Sequence, residues 1–250
     1  MTETALRFED VCVRFGDRLA LDHVSAAIPR GAMAALVGPN GAGKTTLIEA
    51  AAGLRPLASG RIVRADGGVV ALMRQTTPAS RDMPITVAGF VAGGLWRRVG
   101  LWAAPARSDV GRVRAAIDDV GLSSVADRLL AELSIGQRQR AAFARAIVQD
   151  ADILLLDEPF AAIDAAGAER LVGLLDAWRA RGCTILAAMH DLALVRRHFP
   201  LAILLARRVI AAGPTGEALA PDKLDEARRA LDEGFTDALC THHDHGALQT

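Results

Sequence analysis

Gly38-Pro39-Asn40-Gly41-Ala42-Gly43-Lys44-Thr45-Thr46 decides how this chain is read. The apolar run Ala32 to Val37 leads into it, and the helix-forming run Lys44 to Leu54 leads out. Strand, glycine-rich loop and helix in that order form the context in which G-x-x-x-x-G-K-[ST] means a phosphate-binding loop. Gly38, Gly41 and Gly43 let the backbone turn tightly, so its N–H groups can point inward at phosphate oxygens. The helix that follows turns its positive N-terminal end towards the same anion. In such loops the lysine, here Lys44, reaches the β- and γ-phosphates, and the hydroxyl at Thr45 sits on Mg²⁺. A plain turn would explain the glycines but not the Lys-Thr pair that follows them. The loop implies nucleotide binding. By itself it specifies neither the nucleotide nor the use made of its energy.

The rest of the composition sets bounds. At 250 residues the chain can bury a substantial core, as one large domain or a domain with a sizeable subdomain. Lys plus Arg and Asp plus Glu both number 29, so bulk charge argues for neither nucleic acid nor an acidic partner. Cys12, Cys183 and Cys240 are odd in number and far apart, which suits a reduced cytosolic protein rather than a disulfide framework. Met1 to Asp10 holds three acidic residues and no apolar stretch, which reads against a signal peptide. No apolar run approaches the roughly 18 residues that a membrane span needs.

Upstream of the loop, Leu6 to Phe15 and Asp22 to Ile28 read as strands about a Gly16-Asp17 turn. Phe15 ends the first of them. An aromatic there can stack on a nucleobase or belong to the core of an alternating strand. Downstream, Arg61 to Arg64 and Val69 to Met73 read as a strand pair, followed by Gln75. From Pro78 to Arg107 the character changes, with Pro78, Pro84 and Pro105 and two tryptophans. Phe90, Val91, Leu95, Trp96, Leu101 and Trp102 gather there beside Arg97 and Arg98, as a partner surface or as the core of a small helical subdomain. Thr86 to Gly93 reads as a short helix. Asp109 to Val120 reads as an amphipathic one, with Val110, Val113, Ile117 and Val120 at helical spacing, and Val125 to Glu132 as a third.

Three further stretches carry chemistry. In Leu133-Ser134-Ile135-Gly136-Gln137, Ser134 is a good N-cap for the helix that follows, and a second helix end is available to an anion. Ile153 to Leu156 reads as a buried parallel strand ending in Asp157-Glu158-Pro159. A carboxylate at such a strand end, near a phosphate loop, is where Mg²⁺ is held in P-loop enzymes. Glu158, one residue on, can polarise water. Ala165 to Arg179 reads as a helix, and Cys183 to Met189 as a strand closed by His190-Asp191, where the histidine either contacts a phosphate or caps the turn. Pro200 to Ala206 reads as the last strand, and Ala218 to Glu233 as a terminal helix. Alternating strands and helices of these lengths predict an α/β fold with a mostly parallel sheet.

Taken together and in order, Phe15, the 38–46 loop, Gln75, Leu133–Gln137, Ile153–Pro159, Asp164 and His190 resemble the nucleotide-binding subunit of ABC transporters. The resemblance runs to about Ala220. It implies a P-loop NTPase core with an antiparallel β subdomain (1–75 with 150–220), an inserted helical subdomain (76–149) and a C-terminal helix and tail (221–250). It implies two copies, or paired cassettes, packed head to tail with ATP between the phosphate loop of one and the Leu133–Gln137 segment of the other. Residues 38–46 would then hold ATP and Phe15 would stack on adenine. Ser134, Gly136 and Gln137 would meet the partner's γ-phosphate. Thr45, Gln75 and Asp157 would serve Mg²⁺. Glu158 would be the catalytic base, His190 and Lys44 would act on the γ-phosphate, and Asp164 would link the two sites. Three departures stand out. Ile135 replaces the usual Gly, Phe15 the usual Tyr, and Ala161-Ala162-Ile163 lacks a common Ser.

Arg81 to Val87, Gly94 to Gly100 and Asp157 to Asp164 are similar to the ATPases of zinc and manganese importers. That implies a peripheral protein on the cytoplasmic face of the membrane, an integral-membrane permease, an extracytoplasmic solute-binding protein, and no nucleic acid. ATPases of siderophore or haem importers, and soluble ABC ATPases serving iron–sulfur cluster assembly, are the alternatives. The end, Thr241-His242-His243-Asp244-His245, holds three of the six histidines and reads as metal ligands or as a polar tail.

Overall fold

A computed structural model of the chain describes residues 3–65, 68–74, 84–100 and 106–240, of which 232–240 are described as backbone only. Gln75, Leu101, Trp102 and the histidine-containing tail lie outside these residues.

In chain order the strands and helices are β1 (Thr4–Phe15), β2 (Arg18–Pro29), β3 (Met33–Val37), α1 (Lys44–Ala51), β4 (Ser59–Arg64), β5 (Val70–Met73), α2 (Val87–Ala92), α3 (Trp96–Val99) and α4 (Arg107–Asp119). They continue with α5 (Ile135–Ile147), β6 (Ile153–Asp157), α6 (Ala165–Ala180), β7 (Thr184–Met189), α7 (Leu192–His198), β8 (Leu201–Ala206), β9 (Arg208–Pro214), α8 (Thr215–Ala218) and α9 (Pro221–Cys240). The strands form two sheets, ordered β2-β1-β4 and β5-β6-β7-β3-β8-β9. The expected α/β class, with a mostly parallel sheet and a separate β-hairpin sheet, is what the chain adopts.

The contacts divide the chain into two compact units, one of Met1–Ala5, Pro29–Met33 and Arg64–Ala187, the other of Leu6–Ile28, Ala34–Val63 and Ala188–Thr250. In the first, β5 and β6 run parallel, with Val70 opposite Ile153 and Met73 opposite Leu156. All five residues of β6 are buried, as is β7 up to Ala187, where this unit ends, which suits near-continuous apolar runs in a parallel sheet. Leu171, Leu175 and Trp178 give α6 one buried face, with Leu174 half-buried at its border. Val113 and Ile117 do the same for α4. Val110, expected on that stripe, is instead exposed.

One segment of this unit departs from expectation. The short helix expected over 86–93 is present as α2, capped by Thr86, whose hydroxyl accepts from Gly89 N at 3.1 Å. Residues 125–132, however, form no α-helix. A 3-10 turn, Ser123–Val125, ends where that range begins, and a second, Leu130–Glu132, closes it. The backbone groups a helix would use are engaged elsewhere: Val87 N donates to Arg128 O at 3.0 Å, Ala88 N to Ala126 O at 2.9 Å, and Leu130 N to Ile85 O at 2.9 Å. Tertiary backbone pairing outcompetes local helix here.

In the second unit, β3 runs parallel to β8, Ala34 opposite Leu201 and Val37 opposite Leu204. β9 pairs antiparallel with β8, with a register shift between Leu204 and Leu205. Pro200 to Ala206 was expected as the last strand, so β9 is a further strand. The anticipated pairing of 61–64 with 69–73 does not form either. β4 joins β1 in the three-stranded sheet and β5 joins β6 in the other. The core of this unit holds Phe8, Leu21, Ile28, Leu36, Leu47 and Ile48, all essentially out of contact with water. Each such side chain contributes about 1.5–3 kcal/mol by burial.

Candidate nucleotide-binding site

The phosphate loop belongs to the second unit. β3 ends at Val37, and α1 begins at Lys44 with Gly43 as its N-cap in the left-handed conformation, φ +95°. A Cβ at Gly43 would meet Leu21 Cδ2 at 2.6 Å and the Ala20 carbonyl at 2.9 Å. Both the φ value and the close approach therefore require glycine. The loop is tied down from behind: Ala42 N donates to Pro39 O at 3.2 Å, and Arg207 N to Ala42 O at 2.9 Å. No side chain caps α1, so the start of the helix carries no side-chain oxygen where an anion is expected. Lys44 is buried, and its Nζ donates to Gly38 O at 2.6 Å and Pro39 O at 3.1 Å. Thr45 is exposed and Thr46 half-buried. The geometry is that of an anion cradle with a cation folded over its own rim.

Phe15, left between core and base-stacking by its sequence, is 45% exposed. A ring so open to water is not a core residue, and it has surface available for stacking. The Arg55 guanidinium lies over it, 5.0 Å from the ring centroid. Arg55 is itself held by the buried Glu49, Nε to Oε2 at 2.6 Å. Sequence reasoning missed this Glu49–Arg55–Phe15 stack, since nothing in the spacing of the three residues signals it.

His190 and Asp191 follow β7. The turn is capped by Asp191, whose Oδ1 accepts from Ala193 N at 2.9 Å and Leu194 N at 3.1 Å. His190 is exposed and plays no capping part, so of its two expected roles the turn cap falls away.

The remaining candidates lie in the first unit. Ser134 is the N-cap of α5 and forms a capping box with Gln137: Ser134 Oγ accepts from Gln137 N at 3.2 Å, and Ser134 N donates to Gln137 Oε1 at 2.9 Å. Such a cap fixes the helix start. Ser134 itself is exposed, and Gly136 faces the chain so closely that a Cβ would sit 2.8 Å from Ala162 O. Ile135 is 52% exposed.

Asp157 is buried at the end of β6, and Glu158 follows with φ +50°, a left-handed conformation that carries about 1–3 kcal/mol of strain in a non-glycine residue. Gln139, wholly buried on α5, donates from Nε2 to the carbonyls of Glu158 and Pro159, both at 3.0 Å. The structure thus brings the Ser134 helix and the Asp157-Glu158 strand end together through Gln139, a residue sequence reasoning passed over. A glutamine two residues beyond the motif, inside a helix, looks like solvated surface. Asp164 is exposed and caps α6, Oδ1 accepting from Gly167 N at 2.7 Å.

A β-strand, a glycine loop with a buried lysine, and a helix start without a side-chain cap describe a P-loop. Comparison with known proteins decides which kind. Residues 21–161 match the family model described as ABC transporter. The chain belongs to the ABC transporter family. It is 39% identical over 233 residues to the zinc transport system ATP-binding protein TroB of Treponema pallidum, covering 90% of this chain and 87% of that one. It is 35% identical to the manganese transport system ATP-binding protein MntB of Bacillus subtilis, covering 88% and 91%. Among solved structures it resembles cbiO1 from Clostridium perfringens, part of an ABC transporter complex, with TM-score 0.74 and 26% identity over 94% of this chain and 99% of that one. It shares the fold of an ATP-binding cassette solved in its ADP conformation, with TM-score 0.78 and 24% identity over 91% of this chain and 99% of that one. An ABC cassette of this kind binds ATP and is an ATPase. Among the described residues no helix is long and apolar enough to cross a membrane.

Proposed function

We propose that this chain powers an ABC importer for a divalent transition metal of the zinc or manganese kind. The observation that carries the proposal is its likeness, over about nine-tenths of its length, to ATP-binding subunits of zinc and manganese transport systems. The soluble assembly-ATPase reading is not favoured, because these relatives are transport-system proteins.

In this reading the loop 38–46 cradles the triphosphate, Lys44 exchanging the Gly38 and Pro39 carbonyls for phosphate oxygens, and Phe15 stacks on adenine. The exposed Thr45 hydroxyl and the buried Asp157 carboxylate are hard oxygen donors, which fits Mg²⁺; when bound, the ion neutralises phosphate charge. Gln75, outside the described residues, is assigned the role of sensing that ion and the membrane partner. Glu158 takes a proton from the attacking water, its backbone pinned by Gln139. His190 orients the γ-phosphate.

Ser134, Gly136 and Gln137 present the start of α5 to the γ-phosphate of a second, head-to-tail copy, and Asp164 links the two sites. ATP favours the closed dimer only through contacts that exist when it is closed. Moving a two-state dimer from 1:99 to 99:1 needs about 5.5 kcal/mol of differential binding, and two triphosphates gaining charge-assisted hydrogen bonds are of the right size. Hydrolysis removes those contacts and releases the clamp. Segment 76–149 is assigned to the permease-facing helical subdomain, 1–75 with 150–220 to the nucleotide core, and 221–250 to an appended helix and tail. The partners are a polytopic permease at the cytoplasmic face of the membrane and, indirectly, an extracytoplasmic solute-binding protein.

The test is a detergent pull-down of the Glu158→Gln protein from native membranes with ATP present. A polytopic permease in the eluate is expected. Recovery of soluble partners alone, with none of the protein in the membrane fraction, would overturn the importer reading.

A further inference from the structure

The β1–β2 hairpin holds a cluster of ligand-type side chains that nucleotide chemistry does not use. Cys12, Asp22 and His23 each offer a donor atom, and these atoms lie within 4.8 Å of one another. Cys12 is buried, Asp22 half-buried and His23 exposed, so the cluster opens to solvent on one side. His23 N donates to Cys12 Sγ at 3.3 Å, which anchors the thiol beside the histidine. The ring is oriented as well. His23 Nδ1 is hydrogen-bonded to Asp10 Oδ1 at 2.8 Å, and Nε2 lies 3.8 Å from Asp22 Oδ1. Asp10 is held in turn, its N–H donating to Ser25 Oγ at 3.0 Å. Asp10 and His23 both adopt left-handed backbone, φ +54° and +48°. Such conformations persist where the surroundings over-determine them and cluster at ligand sites.

We propose that Cys12, Asp22 and His23 form a binding site for a divalent borderline transition metal of the zinc class. A thiolate, an imidazole and a carboxylate are the donor set that zinc takes, and three protein ligands leave a fourth position for water. Bonds of about 2.0–2.3 Å space tetrahedral donors closer than they stand here. The exposed His23 and half-buried Asp22 have the freedom to close that gap onto the anchored thiol. Asp10 supplies the outer carboxylate that metal-binding histidines characteristically use to set their orientation and basicity. A bound ion would clamp β1 to β2 three residues before Phe15. The site is independent of the function proposed above, since none of its residues belongs to the nucleotide motifs.

The test is a Co²⁺ titration of the full-length Cys240→Ser protein, followed by absorbance. Removing Cys240 separates the hairpin from the His242, His243 and His245 tail as a thiol-containing site, leaving Cys12 and Cys183 as the only thiols. A thiolate-to-cobalt band in the near ultraviolet is expected, displaced by Zn²⁺ and unchanged by Cys183→Ser. Adding Cys12→Ser or His23→Asn should abolish it. Asparagine is chosen at 23 because it tolerates left-handed backbone, so loss of the band reports the imidazole rather than unfolding. Asp10→Asn should weaken binding about 10–100-fold. Absence of the band, or its survival in either the Cys12→Ser or the His23→Asn protein, would overturn the proposal.

Discussion

Gln139 holds Glu158. Its buried amide donates to the carbonyls of Glu158 and Pro159, so the helix that starts at Ser134 sets the backbone of the acid that ends β6. Gln139→Leu keeps the volume but leaves two carbonyls without their donor, a loss of about 1–3 kcal/mol. Stability in a denaturant titration should fall by that much. ATPase turnover should fall while ATP affinity, read by calorimetry, stays within about threefold, because the phosphate loop is untouched. A variant with full turnover would remove Gln139 from the positioning of Glu158.

Glu158→Gln keeps the size of the side chain and removes its basicity. We expect the variant to bind ATP and turn it over very slowly, at least about 100-fold below the parent, in line with the loss of a general base. With ATP and Mg²⁺ it should elute as a dimer in gel filtration. Normal turnover would rule Glu158 out as the base.

Gly43→Ala puts a Cβ 2.6 Å from Leu21 Cδ2 and 2.9 Å from the Ala20 carbonyl, on a backbone with φ +95°. Strain and overpacking each contribute about 1–3 kcal/mol. The midpoint of thermal unfolding should drop, and nucleotide binding should be lost in protein that is still folded at low temperature. Parent-like affinity would mean that the loop tolerates a shift of its helix start.

Ser134→Ala removes the N-cap of α5 and should lower stability by about 1 kcal/mol. It should also abolish ATP-driven dimer formation. Ile135→Gly tests the departure from the usual motif. Its half-exposed side chain lies beside the proposed contact surface, so closure would bury apolar area that glycine lacks. Dimerisation in the Glu158→Gln background should weaken, measured by analytical ultracentrifugation.

Burial, and then the charge of Asp152, pushes the Cys183 thiol from 9.0 up to about 11. The thiolate is the nucleophile, so at pH 8 Cys183 should alkylate about 100-fold more slowly than an ordinary thiol. Peptide mapping after brief iodoacetamide treatment checks this. Between pH 9 and 11 the unfolded thiol ionises while the folded one stays protonated, so this residue's contribution declines as pH rises through that window.

Much of this architecture was written in local pattern. The run Ala32–Val37 before the glycines, the four apolar residues before Asp157 and the Ser134 cap each announce their element, because burial and capping leave strong signatures over a few residues. Features set by distant partners left none. β9, Arg208 to Pro214, has no buried residue and no clean alternation, and exists because β8 offers it an edge. Residues 125–132 have helical composition, but their carbonyls serve the start of α2. By its strand alone Phe15 reads as a core aromatic rather than a base-stacking one, and its exposure removes the core reading. Gln139 and the Arg55–Phe15 stack depend wholly on tertiary placement, and the expected role of Gln75 falls outside the described residues.

The two carbonyls that hold Lys44 also act as a threshold. Gly38 O and Pro39 O already occupy the ammonium, so an incoming anion must compete with an intramolecular decoy rather than with water. A weakly charged oxygen gains little over a well-placed amide carbonyl. A densely charged polyphosphate gains much, because it adds the Coulomb attraction of a full negative charge, where a carbonyl offers only a dipole. On the proposed reading, the loop would thereby favour ligands of high charge density before shape is consulted.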